Sequence, residues 1–353
     1  MAAYTTIDDP SAYFQTAIYT GNGGTIDVVN DGNSDLQPDW LWFKCRSHNT
    51  DHGLQDSVRG NSLALQSNST GGDGDVGSSQ ITAIGSDGFS LGSGGDVNTN
   101  SRTYVCWQWK TGTSFSNDAS STGIGTIDSA GSVNQDAGFS ICTYTGTGSA
   151  GTIKHGLNKK PTFWMTKARS ETRAWYGWHQ GFDLGDVVNF NSTNAATTDT
   201  SLFSTTAPTS SVYNVGTSVG TNKNTITFIN YLFHDVAGYS KFGKYTGNGN
   251  ANGTFVHTGF KPAFVLIKII DNGSQDWFIL DSKRSPFNLV DDSIAPNQAD
   301  VEYTSEANLD FLSNGFKLRM TSIRVNASGN NYIYMAFAEN PFTTSTGIPT
   351  PAR

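Results

Sequence analysis

Tyr19-Thr20-Gly21-Asn22-Gly23 occurs three times in this chain with little change, returning as Tyr144-Thr145-Gly146-Thr147-Gly148 and as Tyr245-Thr246-Gly247-Asn248-Gly249. Self-similarity over such intervals sets the architecture before any local propensity is weighed. Outward from each tyrosine lies a proline (Pro38, Pro161, Pro262), and a lysine follows each proline by six residues (Lys44, Lys167, Lys268). Between proline and lysine the apolar residues alternate: Trp40 and Trp42, Phe163 and Met165, Phe264 and Leu266. Period two predicts a half-buried strand, with proline at its mouth where no ladder hydrogen bond is lost.

The later parts of these units correspond too. Ser86-Asp87-Gly88-Phe89-Ser90-Leu91 matches Ser313-Asn314-Gly315-Phe316-Lys317-Leu318, and Asp56-Ser57 matches Asp281-Ser282. Asp-Gly and Asn-Gly before an alternating run are turn signals. Each unit closes on a β-rich run: Tyr104–Trp109, Thr227–Phe233 and Tyr332–Phe337. Short strands alternate with Gly/Asn/Ser/Asp turns, and only Leu63-Ala64-Leu65 suggests the opening of a helical turn. The fold class predicted is all-β, as three tandem homologous antiparallel β-sandwich domains. Their bounds are 1–113, 124–237 and 238–353, with a Gly/Ser/Thr linker at 114–123. The second unit lacks the Asp-Gly-Phe motif and is the most diverged.

Composition narrows the function classes. The 353 residues carry 22 basic and 30 acidic side chains, a net charge of −8, and charged residues make up 15% of the chain, against ~25% in a typical soluble protein. With 39 glycines and 12% aromatics, the chain has a neutral-polar surface yet enough apolar area to order itself. No basic block supplies a phosphate-neutralising footprint, so nucleic acid is not an expected partner. No apolar run approaches the ~18–20 residues of a membrane-spanning helix, and Met1–Pro10 lacks the pattern of a secretory signal. Cys45, Cys106 and Cys142 each sit in an apolar strand-like run, which predicts buried thiols in a protein made in a reducing cytosol.

The run Gly138–Leu157, the run Gly238–Gly249 continuing to Asp276–Arg284, and the close Tyr332–Phe342 resemble a family of tailed-bacteriophage proteins, common in phages of marine bacteria and cyanobacteria and built of domains of unknown function. The resemblance covers nearly the whole chain. It implies a virion structural protein, tail-associated, assembled in the host cytoplasm, with other virion proteins and copies of itself as partners. It supplies no catalytic residues and no cofactor. The chain departs from the pattern at Lys159-Lys160-Pro161, where the family usually has small apolar residues.

Individual constellations were weighed against plainer readings. There is no Gly-x-Ser-x-Gly elbow and no His-Glu-x-x-His motif. His48 and His52 are four residues apart but lie in a polar loop with no helix to bring them together, and His155 and His257 recur through the repeat. A polysaccharide depolymerase would need two carboxylates ~5–9.5 Å apart across a cleft; Asp183, Asp186, Asp291 and Asp292 are in loops, with nothing to select a pair. Asp73 and Asp75, with Asp96 beyond, offer oxygens for calcium without the EF-hand spacing. The strongest binding signal is Trp175, Tyr176, Trp178 and His179 in the second unit, read either as a stacking surface for a host glycan or as core filling. The functional expectation is a homo-oligomeric, adhesive, tail-associated virion protein (fibre, spike or baseplate-like). The alternatives are a capsid decoration protein and, least favoured, the depolymerase.

Overall fold

The same four strands assemble in the same spatial order in each of the three segments. The computed structural model, which describes residues 4–349, is all-β, and its named strands pair antiparallel. An opening strand (Phe14–Thr20, Phe139–Thr145, Ser240–Thr246) pairs with the closing strand of its own segment (Thr103–Trp109, Thr227–Phe233, Asn331–Pro341). The closing strand pairs with a middle strand (Trp40–Cys45, Phe163–Ala168, Phe260–Ile269), and that with a flanking strand (Gly53–Asp56, Tyr176–His179, Phe278–Asp281).

The Tyr-Thr-Gly motif is a built turn. The tyrosine hydroxyl donates to Val97 O, Thr221 O or Val325 O, and its ring stacks on Tyr104, Phe228 or Tyr332 at 5.0–5.3 Å. A buried asparagine (Asn98, Asn222, Asn326) accepts from the backbone N–H of Asn22, Thr147 or Asn248 at 2.8–3.0 Å. A Cβ on the first glycine, Gly21, Gly146 or Gly247, would lie 2.3 Å from a backbone oxygen. The second glycine has φ of +69°, +76° or +66°, which side chains disfavour.

The middle strands Trp40–Cys45 and Phe163–Ala168 are buried at every position, so both sheet faces are covered. In the first segment Leu41, Phe43 and Cys106 pack with Ile81, Phe89 and Leu91 between the large sheet and a three-stranded one (Ile26–Val28, Ile81–Ile84, Phe89–Leu91). The opposite face, with Trp40, Trp42, Trp107 and Trp109, joins a single core with Phe139, Phe163 and Phe233 of the second segment and Phe264 and Phe337 of the third. Trp40 stacks on Tyr231 with centroids 4.4 Å apart, and Trp109 meets Phe264 edge-on at 5.8 Å. The inward faces of the three segments need one another to leave water.

Three local expectations are corrected. Thr113–Asn117, which begins one residue before the stretch read as a linker, is a strand paired with Ser129–Asn134, and Ala119–Thr122 is a helical turn capped by Asp118. Leu63-Ala64-Leu65 belongs to the strand Gly60–Leu65. Pro38 and Pro161 precede their strands, but Pro262 lies within Phe260–Ile269, at a register shift that absorbs its missing N–H. Cys45, Cys106 and Cys142 are free and buried.

Candidate functional site

Trp175, Trp178 and His179 are buried and Tyr176 is half-buried, so this stretch faces inward. Trp178 stacks on Trp164 at 4.6 Å. Trp175 reaches the first segment, its indole N–H donating to Gln66 O at 2.9 Å. The same position in the third segment is Trp277, which donates to Asn189 O of the second at 3.4 Å. In the first it is His52, whose Nδ1 accepts from the Trp42 indole at 2.9 Å, leaving Nε2–H to donate to Ala295 O of the third at 3.1 Å.

The repeated lysines run round the molecule in the same sense. Lys44 Nζ donates to Ala299 O at 3.1 Å, Lys268 Nζ to Thr193 O at 3.1 Å and Lys167 Nζ to Thr70 O at 3.0 Å. Each segment thus bonds to the one before it, and the first bonds to the third, closing a ring. Burial pushes all three ammonium groups down to about 8. Their spacing from proline was visible in the sequence; that they grip a neighbour was not.

A further set of equivalent contacts is shared by the first and third segments and replaced in the second. Asp56 and Asp281 each hold an arginine three residues on, Arg59 and Arg284, at 2.6 Å with both side chains fully buried. Each carboxylate also accepts from the adjoining segment, Asp56 from Tyr231 Oη at 2.7 Å and Asp281 from Trp107 Nε1 at 3.0 Å. In the second segment these positions are His179 and Phe182, and the register equivalent of Tyr231 and Trp107 on the third closing strand is Met335, which has no proton to donate. His179 accepts from Gly181 N–H at Nδ1, and its Nε2–H donates to Tyr334 O at 3.1 Å. Burial holds this imidazole down at about 4.

A surface groove lies on the second segment and arises from what that segment adds. In the first and third segments the opening strand is the edge of its sheet; in the second, Ser129–Asn134 and Thr113–Asn117 are added outside it. Between this addition and the Tyr-Thr-Gly turn runs a groove of about 630 Å³, lined by Ser116, Asp118, Thr126, Asp128, Thr145 and Arg169 among others. Ser116 and Thr145 are exposed. Asp118 caps the helical turn and is held below the usual carboxylate range by donors from Ser120 and Ser121. Arg169 is oriented from behind, its Nε 2.8 Å from Asp73, which also accepts from Arg59 at 3.0 Å. The Tyr-Thr-Gly motif supplies one wall, but the sequence did not mark the groove, because its other walls come from residues 116–118, 126–130, 169 and 227.

A family model for a domain of unknown function, DUF7483, matches residues 9–341. The chain belongs to the DUF7483 family. No curated protein and no solved structure matches it. The one DUF7483 match runs through all three segments, as does the shared core.

The other candidate residues of this DUF7483 chain lie apart from the groove. Asp73, weighed as an oxygen donor for calcium, is the counter-ion of Arg59 and Arg169, Asp75 accepts from Gly77 N–H at 2.9 Å, and Asp96 accepts from Gln80. Among the described residues no group of three or more His, Cys, Asp or Glu is placed to hold a metal ion. His48 is exposed beside Ser47, away from the bonds that hold His52. His155 is buried, donating to Thr209 O, and is pushed down to about 4 by burial. Asp183 and Asp186 share a polar depression with Lys244 and Asp271, whereas Asp291 and Asp292 lie on the strand Val290–Ile294, with Asp292 4.0 Å from Arg46. Lys159 and Lys160 are exposed ahead of the second middle strand.

Proposed function

We propose that the protein is a structural component of a bacteriophage particle, tail-associated, with an adhesive surface directed at the host. The observation that carries this is the ring: chemically distinctive side chains, including the three lysines, the Asp–Arg pairs and the buried tryptophans, bind segment to segment. Such a body is a rigid scaffold, and its outward loops, rich in Ser, Thr, Asn and Gly, are free to vary for recognition. The same equivalences favour three homologous β-sandwich units about an approximate threefold axis, fused into one chain, with residues 114–123 belonging to the second unit instead of forming a linker. The phage-family resemblance of the sequence adds the particle. A neutral hydrogen-bonding surface suits contact in salt water, where charge pairs are screened within several ångströms.

The approximate threefold arrangement also favours a second reading, a decoration protein seated at threefold positions of a capsid shell. Antibody–gold labelling of intact particles, with fitting of the ring into a particle density map, separates the two. Labels at the tail tip or fibres agree with the adhesive reading, and labels over the shell with decoration. Absence from purified particles overturns both. Self-association belongs to the same proposal, since a symmetric particle reuses one patch many times; light scattering at high concentration checks it.

A further inference from the structure

We infer that the groove of the second segment is the adhesive site and that it takes a neutral saccharide chain. This rests on the adhesive reading above and names its ligand. The first argument is architectural. The three segments share their strands, their turn motif and their ring contacts, and the second alone adds the Thr113–Asn134 hairpin outside its opening strand. That addition seats Val133 in the shared core and bonds Ser132 to Thr111 of the first segment, and on its other side it encloses the groove of about 630 Å³, a volume in the range of ligand sites.

The second argument is chemical. The lining combines hydroxyls (Ser116, Thr126, Thr145), carboxylates (Asp118, Asp128) and one guanidinium (Arg169). Carboxylates accept two hydrogen bonds side by side and a guanidinium donates them in a fixed fork, a geometry that matches neighbouring hydroxyls on a sugar ring. The two carboxylates face a single cation whose Nε already serves Asp73. A polyanion is therefore repelled and a cationic ligand lacks a paired site, since Asp118 already accepts from Ser120 and Ser121 and Asp128 from the Ala119 N–H, whereas a neutral polyol can use the hydroxyls, the remaining carboxylate lone pairs and the guanidinium together. Tyr144, the aromatic in the lining, is buried, so no ring stacking is available. Hydrogen bonding alone gives weak single-site affinity, on the order of millimolar, which copies on one particle raise through avidity.

The test uses the whole chain and its own internal controls. Thr20, Thr145 and Thr246 occupy equivalent exposed positions, and only Thr145 borders the groove. Wild type, Thr145→Trp and Thr20→Trp are applied to arrayed bacterial O-chain polysaccharides, neutral and acidic, after melting curves show that each variant folds. Retention of one or more neutral O-chains by wild type, a loss of tenfold or more in Thr145→Trp, and Thr20→Trp within twofold of wild type is the expected result. Failure of wild type to retain any neutral O-chain overturns the inference, as does preference for acidic ones, or equal binding by the two variants. If Thr145→Trp does not fold, Ser116→Arg on the opposite wall replaces it with the same expectations. Particle labelling is independent of these outcomes, so the groove can fail while the virion reading stands.

Discussion

Lys44, Lys167 and Lys268 show how one residue type at one repeated position does a job that its exposed counterparts cannot. Each ends a buried strand and donates to a carbonyl of another segment, and burial lowers each to about 8. An unfolded lysine titrates near ~10.4. Between these values the unfolded chain binds more protons than the folded one, so the lysines' contribution to stability rises with pH across that window, by at most about 3 kcal/mol each. The buried thiols Cys106 and Cys142, raised by burial, act in the opposite sense there. Comparison with Lys167→Met isolates the lysine: wild type should gain on the variant in melting temperature from pH 7.5 to 10, and a constant difference counts against it. His155 and His179 give the acid limb. Held at about 4 in the fold and near ~6.5 when unfolded, they keep stability that is complete above pH 6.5 and is lost as pH falls toward 4. Melts between pH 7 and 4.5 should show His179→Gln less steep than wild type.

At the scale of the strand and its turn, the three flanking strands end on Asp56, His179 and Asp281, each facing a closing strand of another segment. The donor on that facing strand sets which residue is tolerated: Tyr231 and Trp107 suit a carboxylate backed by arginine, and Met335 suits a neutral imidazole. His179→Asp alone buries a carboxylate with no cation and with only the Gly181 N–H as donor, which should cost about 3–5 kcal/mol. Adding Phe182→Arg restores the partner found in the other two segments and should recover part of that loss. Denaturant unfolding of the single and double variants checks this, and equal losses in both would contradict it. The Asp-Ser match between first and third segments was legible in the sequence. Its counterpart in the second was not, because the substitution is explained only by a residue more than 150 positions away.

For the whole molecule, the decisive feature is the core in which tryptophans of the first segment pack against phenylalanines of the other two. Segments that share their apolar interior and close a ring of hydrogen bonds should unfold together. Calorimetry is expected to show one transition whose van't Hoff and calorimetric enthalpies agree; separate transitions would mean independent beads. Trp40 touches both its own segment, through Trp109, and the second, through Tyr231 and Phe233. Trp40→Ala should therefore cost ~3–5 kcal/mol by lost transfer energy and the cavity left behind, lowering the single midpoint without splitting it.

The repeat, the strand periodicity and the glycine turn were written in the sequence, because each rests on contacts between residues near in the chain or on one strand's alternation: Tyr19, Gly21 and Gly23 fix their own turn, and Trp40 and Trp42 fix the faces of theirs. The aromatic stretch Trp175–His179 was legible as either core or binding surface, since alternation says that two faces differ and not whether the second is covered. What covers it is another segment, and the groove between residues 116–130 and Arg169 likewise has walls distant in sequence. Only the tertiary structure decided these, because burial and cavity depend on which surfaces meet, and here the surfaces that meet belong to different copies of one motif.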